Sequence, residues 1–193
     1  MRVIAGSAGG IQLEVPRSGV RPTMDRVKAA IFSSLGDEII GASVLDLFVG
    51  SGALGIEALS RGAASALFVE EDAAAIKTIE RNLRRTKLEG RIRHQDVFAF
   101  LRAGHSSEPY RIIFADPPYE KTKSGGAFTQ LLLESAELAG MLEPSGIFVL
   151  EKRPAEKMPS APLWKIVRAR RYGATEVLFL QRGAITTDTR AQR

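Results

Sequence analysis

The stretch Asp46-Leu47-Phe48-Val49-Gly50-Ser51-Gly52-Ala53-Leu54-Gly55 decides how this chain is read. Residues 44–48 form a short apolar run suited to a buried strand, and a helix is expected over 54–61, beyond the glycines. The same strand–turn–helix texture continues downstream. Strands are expected over 66–70, 91–96, 111–115 and 146–151, with helices over 72–88, 97–101 and 128–139. Such alternation implies an α/β fold with a parallel sheet covered by helices on both faces. Two late runs, 164–171 and 175–181, face each other across Gly173 and read as an antiparallel hairpin. Ahead of the alternation, Ile11, Leu13 and Val15 alternate and turn back to Val3 and Ile4 through Gly6, Gly9 and Gly10, and a helix is expected over 25–35. The organisation is thus an extension over 1–40, an α/β domain over 41–182 and a polar, disordered tail over 183–193.

Composition narrows the function classes. The chain has 193 residues, 45% of them hydrophobic and 25% charged, which suits one globular domain. With no cysteine there is no disulfide framework, thiolate zinc site or thiol nucleophile. No apolar run reaches the roughly 18 residues of a membrane span, and no secretory h-region opens the chain, so a soluble cytoplasmic protein is expected. Lys and Arg exceed Asp and Glu by 27 to 22, a net charge of +5 that favours a polyanionic partner. The basic residues concentrate in 77–93 and again at Lys165, Arg168, Arg170, Arg171 and Arg182.

In an open parallel sheet, ligands bind beyond the carboxyl ends of the strands. Asp46 and the glycine loop, Glu70, Asp96 and Asp116 follow four successive expected strands to that edge. Gly50, Gly52 and Gly55 have the G-x-G-x-x-G spacing of dinucleotide sites, where glycines admit a ligand close to the backbone. Asp46 opposes that use, because a carboxylate here repels pyrophosphate and attracts a cation. S-adenosylmethionine is such a ligand, with a sulfonium, an ammonium and no phosphate. Ser51 lies within the same loop, Glu70 suits ribose hydroxyls under either reading, and Asp96 is placed to meet an adenine amino group. Each acidic residue alone also reads as a helix cap or a tight turn.

Asp116-Pro117-Pro118-Tyr119 is the sharpest signal. Successive prolines after a strand stop sheet pairing and fix the backbone. The Asp116 carboxylate and the Pro117 carbonyl can then accept both hydrogens of one exocyclic NH2 group. Such an amine on a nucleobase is a poor nucleophile, and two acceptors help to localise its lone pair. Tyr119 offers a face for a flipped-out base.

Other candidates carry less. His94 and His105 lack metal-ligand spacing and no metal is expected. Ser33, Ser34 and Ser51 lack a partner histidine for a hydrolytic triad. Lys121 and Lys123 suit substrate phosphates or a solvated loop. Arg21, Thr23 and Arg26 suit an anion site equally with a capped helix start.

The segments 21–27, 46–63 and 116–119 resemble those of the bacterial 16S ribosomal RNA (guanine-N2)-methyltransferases, and the similarity extends over nearly the whole chain. The resemblance implies a seven-stranded Rossmann-like class I methyltransferase sheet with an antiparallel last strand and a small amino-terminal β-hairpin and helix extension. It implies S-adenosyl-L-methionine as cofactor and a guanine of small-subunit RNA as substrate. Asp46, Gly50, Ser51, Gly52, Glu70 and Asp96 are the expected cofactor contacts. Asp116, Pro117, Pro118 and Tyr119 are expected at the target base, and Arg2, Arg21, Thr23, Arg26 and Lys121 at the RNA. Gly9 and Ile11 stand where that family usually carries basic residues in its first hairpin.

The expected activity is therefore methyl transfer to guanine N2 of 16S ribosomal RNA, in an assembled or assembling 30S subunit, by a monomer without membrane association. Methylation of another amine such as adenine N6, a nicotinamide-dependent dehydrogenase, and a non-catalytic RNA-binding assembly protein are the alternatives. The first is opposed by the long glycine-loop signature; the second leaves Asp46 and the D-P-P-Y segment unexplained. The third leaves two chemical sites without purpose.

Overall fold

The computed structural model describes residues 1–15, 23–104, 108–118, 127–156 and 158–183. The chain after the extension runs β1 (Ser43–Leu47), α2 (Ala53–Ser60), β2 (Ser65–Glu70), α3 (Ala73–Thr86), β3 (Arg91–His94), α4 (Val97–Ala103), β4 (Tyr110–Ala115), α5 (Ala127–Glu134), α6 (Ala136–Met141), β5 (Leu142–Lys152), β6 (Trp164–Tyr172) and β7 (Thr175–Arg182). It is preceded by α1 (Thr23–Leu35) and a 3-10 turn at Gly36–Ile39.

All seven strands join one sheet in the order β3-β2-β1-β4-β5-β7-β6. Strands β1 to β5 pair in parallel, while β7 lies antiparallel between β5 and β6. The order reverses at β1 and β4, which is where an open α/β sheet binds its ligand. The central strands alternate their side chains between two cores. Val44, Phe68, Phe114 and Val149 pack with α1, α2 and α3 on one face. Leu45, Val69, Ala115 and Leu150 pack with α4, α5 and α6 on the other. Burial on both faces explains why these strands read as unbroken apolar runs.

Several local expectations are corrected. Residues 1–15 do turn back on themselves, with an antiparallel bridge of Arg2 to Gln12 and backbone bonds from the Val3, Gly10 and Leu13 N–H groups to the Ile11, Val3 and Met1 carbonyls, but the pairing goes no further and forms no full strands. The reason lies in where their amides go. The Ile4 and Ala5 N–H groups donate to the Glu57 carboxylate at 2.7 and 3.1 Å, Ala8 N–H donates to Ser60 Oγ, and Ser7 N–H to the Ser60 carbonyl. Helix α2 thus takes the bonds a hairpin ladder would have used. The single helix expected over 128–139 is two, because the Ser135 side chain accepts the Leu138 N–H and caps a fresh start. Phe48 lies outside β1 with φ 57°, and Asp96 follows β3 as the cap of α4 rather than ending the strand. The expected tail beyond Gly183, like His105, lies outside the described residues.

Glu57 is fully buried and fastens the extension to the sheet. It pairs with Lys28 Nζ at 3.2 Å and Arg61 Nε at 2.7 Å, and Lys28 also donates to the Arg2 carbonyl. Burial pushes the Lys28 ammonium below its ordinary range, and Glu57 opposes that shift. Removing the carboxylate leaves Lys28 buried without its counter-charge. Glu57→Ala should therefore cost about 3–5 kcal/mol of stability, read as a lower urea midpoint.

Candidate active site

The glycine loop is shaped by one carboxylate. Asp46, buried near the end of β1, accepts the Gly55 N–H of α2 at 2.9 Å and so ties the strand to the first turn of the following helix. Gly52 caps α2 with φ 81°, a left-handed conformation that favours glycine. Gly55 is needed for space instead. A Cβ there would lie 2.3 Å from Phe68 Cε1 and 3.1 Å from Asp46 Oδ2. Phe68 is fully buried, and Gly90 closes on the opposite edge of its ring, so the ring has nowhere to go.

Glu70, at the end of β2, holds the loop from the other side. Its carboxylate accepts the Gly50 N–H at 2.9 Å and the N–H groups of Glu71 and Asp72, also at 2.9 Å. Asp96 accepts the Ala99 N–H at 2.7 Å and is exposed, so one of its oxygens is engaged in capping α4. Ser51 is buried with its Oγ 3.8 Å from Met1 Sδ, and its carbonyl accepts from Asn82. Strand β4 delivers Asp116 beside this loop. Leu47 pairs with Ala115, so the next residues on the two strands, Phe48 and Asp116, emerge together. Asp116 is half-buried, Pro117 is buried and Pro118 exposed; Tyr119 lies outside the described residues.

The electrostatics of this edge are one-sided. Burial pushes the Asp46 carboxyl up to about 8; Asp116 and Glu70 push the same way, against the Gly55 bond. Burial pushes Asp116 up to about 6. Glu151, near the end of β5, is held well above the usual carboxylate range by burial and by Asp116 and Asp46. Among the described residues, no group of three or more acidic or histidine side chains converges well enough to hold a metal ion. The negative charge is spread along the edge, which suits an extended cationic ligand better than an ion.

Sequence reasoning missed three contributors. Glu151 stands where an acidic residue after an apolar strand reads as an ordinary solvated end. Asn82, fully buried on α3, donates to the carbonyls of Ser51 and Glu14 and accepts the Glu14 N–H, joining the glycine loop to the extension. Phe48, in its left-handed conformation, packs against Phe98 and Phe128 at 5.9 and 5.7 Å between ring centres. Such a conformation costs about 1–3 kcal/mol and persists only where packing enforces it. A lone polar residue on an amphipathic helix and scattered phenylalanines give no advance signal of these contacts.

The expected RNA-side residues are less concentrated. Arg2 and Arg26 are exposed on the extension, and the Arg2 N–H lies 3.4 Å from Asp25 Oδ1. Thr23 opens α1, while Arg21, Lys121 and Lys123 lie outside the described residues. On α3, Arg81 and Arg85 are partly neutralised by Glu14. His94 is exposed, with Nε2 2.9 Å from the Glu71 carbonyl oxygen.

A family model described as conserved hypothetical protein 95 matches residues 1–181. The chain belongs to that family. Among its relatives, ribosomal RNA small subunit methyltransferase D of Escherichia coli (strain K12) is 34% identical over 187 residues, covering 95% of this chain and 91% of the relative. A solved structure from Thermus thermophilus, described as a hypothetical protein, has a TM-score of 0.77 at 32% identity and covers 94% of this chain and 99% of that one. The T. thermophilus 16S rRNA N2 G1207 methyltransferase RsmC, solved with AdoMet and guanosine, has a TM-score of 0.65 at 25% identity. It covers 86% of this chain and 44% of its own. The seven-stranded sheet of this family member is the class I methyltransferase fold expected from sequence.

Because the Phe68 ring cannot retreat, Gly55→Ala should overpack the β1–α2 contact. The expected loss is about 1–3 kcal/mol, measured by urea denaturation.

Proposed function

We propose that this protein transfers a methyl group from S-adenosylmethionine to the exocyclic N2 amine of a guanine in 16S ribosomal RNA. The observation that carries this reading is the emergence of Asp116 and Pro117 directly beside the glycine loop, at the sheet's switch point. The names of the family relative, a small-subunit rRNA methyltransferase, and of the solved N2-guanine enzyme support it. A dehydrogenase has no use for the D-P-P-Y segment, and carboxylates gathered at this edge oppose a pyrophosphate.

The donor set fits the cofactor. Buried Asp46 and half-buried Asp116 and Glu151 form a negative edge in which charge is suppressed by desolvation and mutual repulsion, as expected of a site built for a cation. Asp46 and the loop at Gly50, Ser51 and Gly52 would hold it, with Glu70 at the ribose and Asp96 at the adenine. When bound, S-adenosylmethionine supplies an activated methyl group on a sulfonium. The chain's own part is alignment. Asp116 and the Pro117 carbonyl accept the two hydrogens of the amine and aim its lone pair, while Pro118 keeps the backbone rigid and Tyr119 stacks the base. With its carboxyl pushed up to about 6, Asp116 is basic enough to take the proton the amine sheds. Proximity and orientation of this kind are worth on the order of 7–11 kcal/mol of barrier.

Arg2, Arg21, Thr23, Arg26 and Lys121 are assigned to RNA contacts, on a monomer acting on an assembled or assembling 30S particle. The domain bounds 1–40 and 41–182 belong to the same reading. No helix among the described residues is long and apolar enough to cross a membrane.

Two outcomes test the reading. Labelled S-adenosylmethionine and 30S particles from cells lacking the protein should yield label in N2-methylguanosine. Asp116→Ala should abolish that transfer while cofactor affinity, by calorimetry, stays within about threefold; equal loss of both refutes the division of labour. The second concerns protons. The folded protein holds a proton on Asp46 up to about pH 8, far above the ordinary carboxylate value of about 3.9. A cation seated there favours the carboxylate and expels the proton. Cofactor affinity should therefore rise between about pH 6 and 8 and level off above, with proton release seen by calorimetry at pH 7 in buffers of different ionisation enthalpy.

A further inference from the structure

Glu151 is a carboxylate at the active edge that none of the assigned roles uses. Its place follows from register. Strands β4 and β5 pair in parallel, Phe114 with Val149 and Ala115 with Leu150. One step further come Asp116, just past the end of β4, and Glu151, still within β5; the paired strands that carry them run about 4.8 Å apart. Side-chain alternation sets the direction of Glu151. Phe114 and Val149 pack in the core on the α1–α3 face, Ala115 and Leu150 in the opposite core, so Glu151, still within β5, returns to the first face. Asp46 faces the same way, between Leu45 and Leu47 of the opposite core. The mutual electrostatic influence of Glu151, Asp116 and Asp46 agrees with this placement.

Among the described residues, no positive charge is provided for Glu151. The adjacent Lys152 points to the other face, where Glu176 takes it up at 2.9 Å together with the Arg153 and Glu156 carbonyls. Among the described residues, the Glu151 carboxylate has no hydrogen-bond or ion-pair partner. The strand order also puts it on a definite side of the site. The glycine loop, Glu70 and Asp96 follow β1, β2 and β3, on one side of Asp116; β5 and Glu151 are on the other. Glu151 therefore stands on the target-base half.

We propose that Glu151 accepts the N1–H of the target guanine and so selects guanine at this site. The inference rests on the guanine-N2 reading above. Asp116 and the Pro117 carbonyl see only an NH2 group, which adenine also carries. What differs is the atom beside it. Guanine presents N1–H next to its amine, two donors side by side, whereas adenine presents N1 as an acceptor. A second acceptor adjacent to Asp116 matches the guanine edge and leaves an adenine edge unpaired.

The test compares wild type with Glu151→Met, which fills similar space without an acceptor, and Glu151→Gln, whose amide oxygen still accepts. Each is assayed for label transfer into N2-methylguanosine of 30S particles from cells lacking the protein, for S-adenosylmethionine affinity by calorimetry, and for thermal unfolding. The expected result is a fall in kcat/KM of about 10- to 100-fold for Glu151→Met, with less than about tenfold loss for Glu151→Gln and cofactor affinity within about twofold for both. Wild-type transfer by Glu151→Met overturns the proposal. So does a loss of cofactor affinity that parallels the loss of transfer, which would move Glu151 to the cofactor side. If Glu151→Met fails to fold, Glu151→Gln decides: a folded, inactive Gln variant overturns the assignment, because acceptance alone should suffice. Wild-type label in a nucleoside other than N2-methylguanosine refutes the guanine reading itself, and this inference with it.

Discussion

A buried carboxylate with one backbone partner organises this protein. Asp46 must reach from β1 to the Gly55 N–H, and that contact requires α2 to begin close against the strand. The close approach in turn demands a residue without Cβ at position 55, a flat ring at Phe68 beneath it and another glycine, Gly90, beyond the ring. The turn between strand and helix is left as a short loop, closed by the Gly52 N–H donating to the Val49 carbonyl. Glu70 then holds the loop from the next strand through the Gly50 N–H. The ligand edge is thus set by two carboxylates that bind backbone.

Such an arrangement works against stability when nothing is bound. Like charges gathered in a desolvated place are costly, and the protein answers by keeping protons on them, with Asp46 up to about 8 and Asp116 up to about 6. Elsewhere buried charge is treated differently. Lys28 and Arg61 meet Glu57, and Lys152 meets Glu176, each within a set of backbone bonds. Among the described residues, counter-charges are supplied where charge is structural and withheld at the strand ends. That contrast, more than any single residue, marks the edge as a place for a positively charged ligand.

The extension is joined to the same machinery. Glu57 takes its amides at one end, and Asn82 links Glu14 to the carbonyl of Ser51 at the other. Movement of residues 1–15 would therefore be felt in the glycine loop. The half-buried rings of Phe48, Phe98 and Phe128 hold the opposite wall of that loop on the second face of the sheet.

The order of elements was legible because buried parallel strands and amphipathic helices have different periods, and because glycine and proline punctuate them. The places of Asp46, the glycines and Asp116-Pro117 at strand ends could be read for the same reason: each is set by its own local geometry. Local patterning did not foretell that the amides of Ile4, Ala5, Ser7 and Ala8 would bond to α2 instead of to a hairpin partner, that Ser135 would divide a helix, or that Asp96 would spend an oxygen on a cap. Those outcomes are competitions between backbone partners, and distant groups such as Glu57 and Ser60 took part in them. Glu151 shows the division most plainly. By sequence it is one acidic residue after an apolar run; by strand order and register it stands beside Asp116, 35 positions away in number. Chemical type and local conformation are properties of the sequence alone, whereas which charges share a desolvated edge is decided only when the sheet brings its strands together.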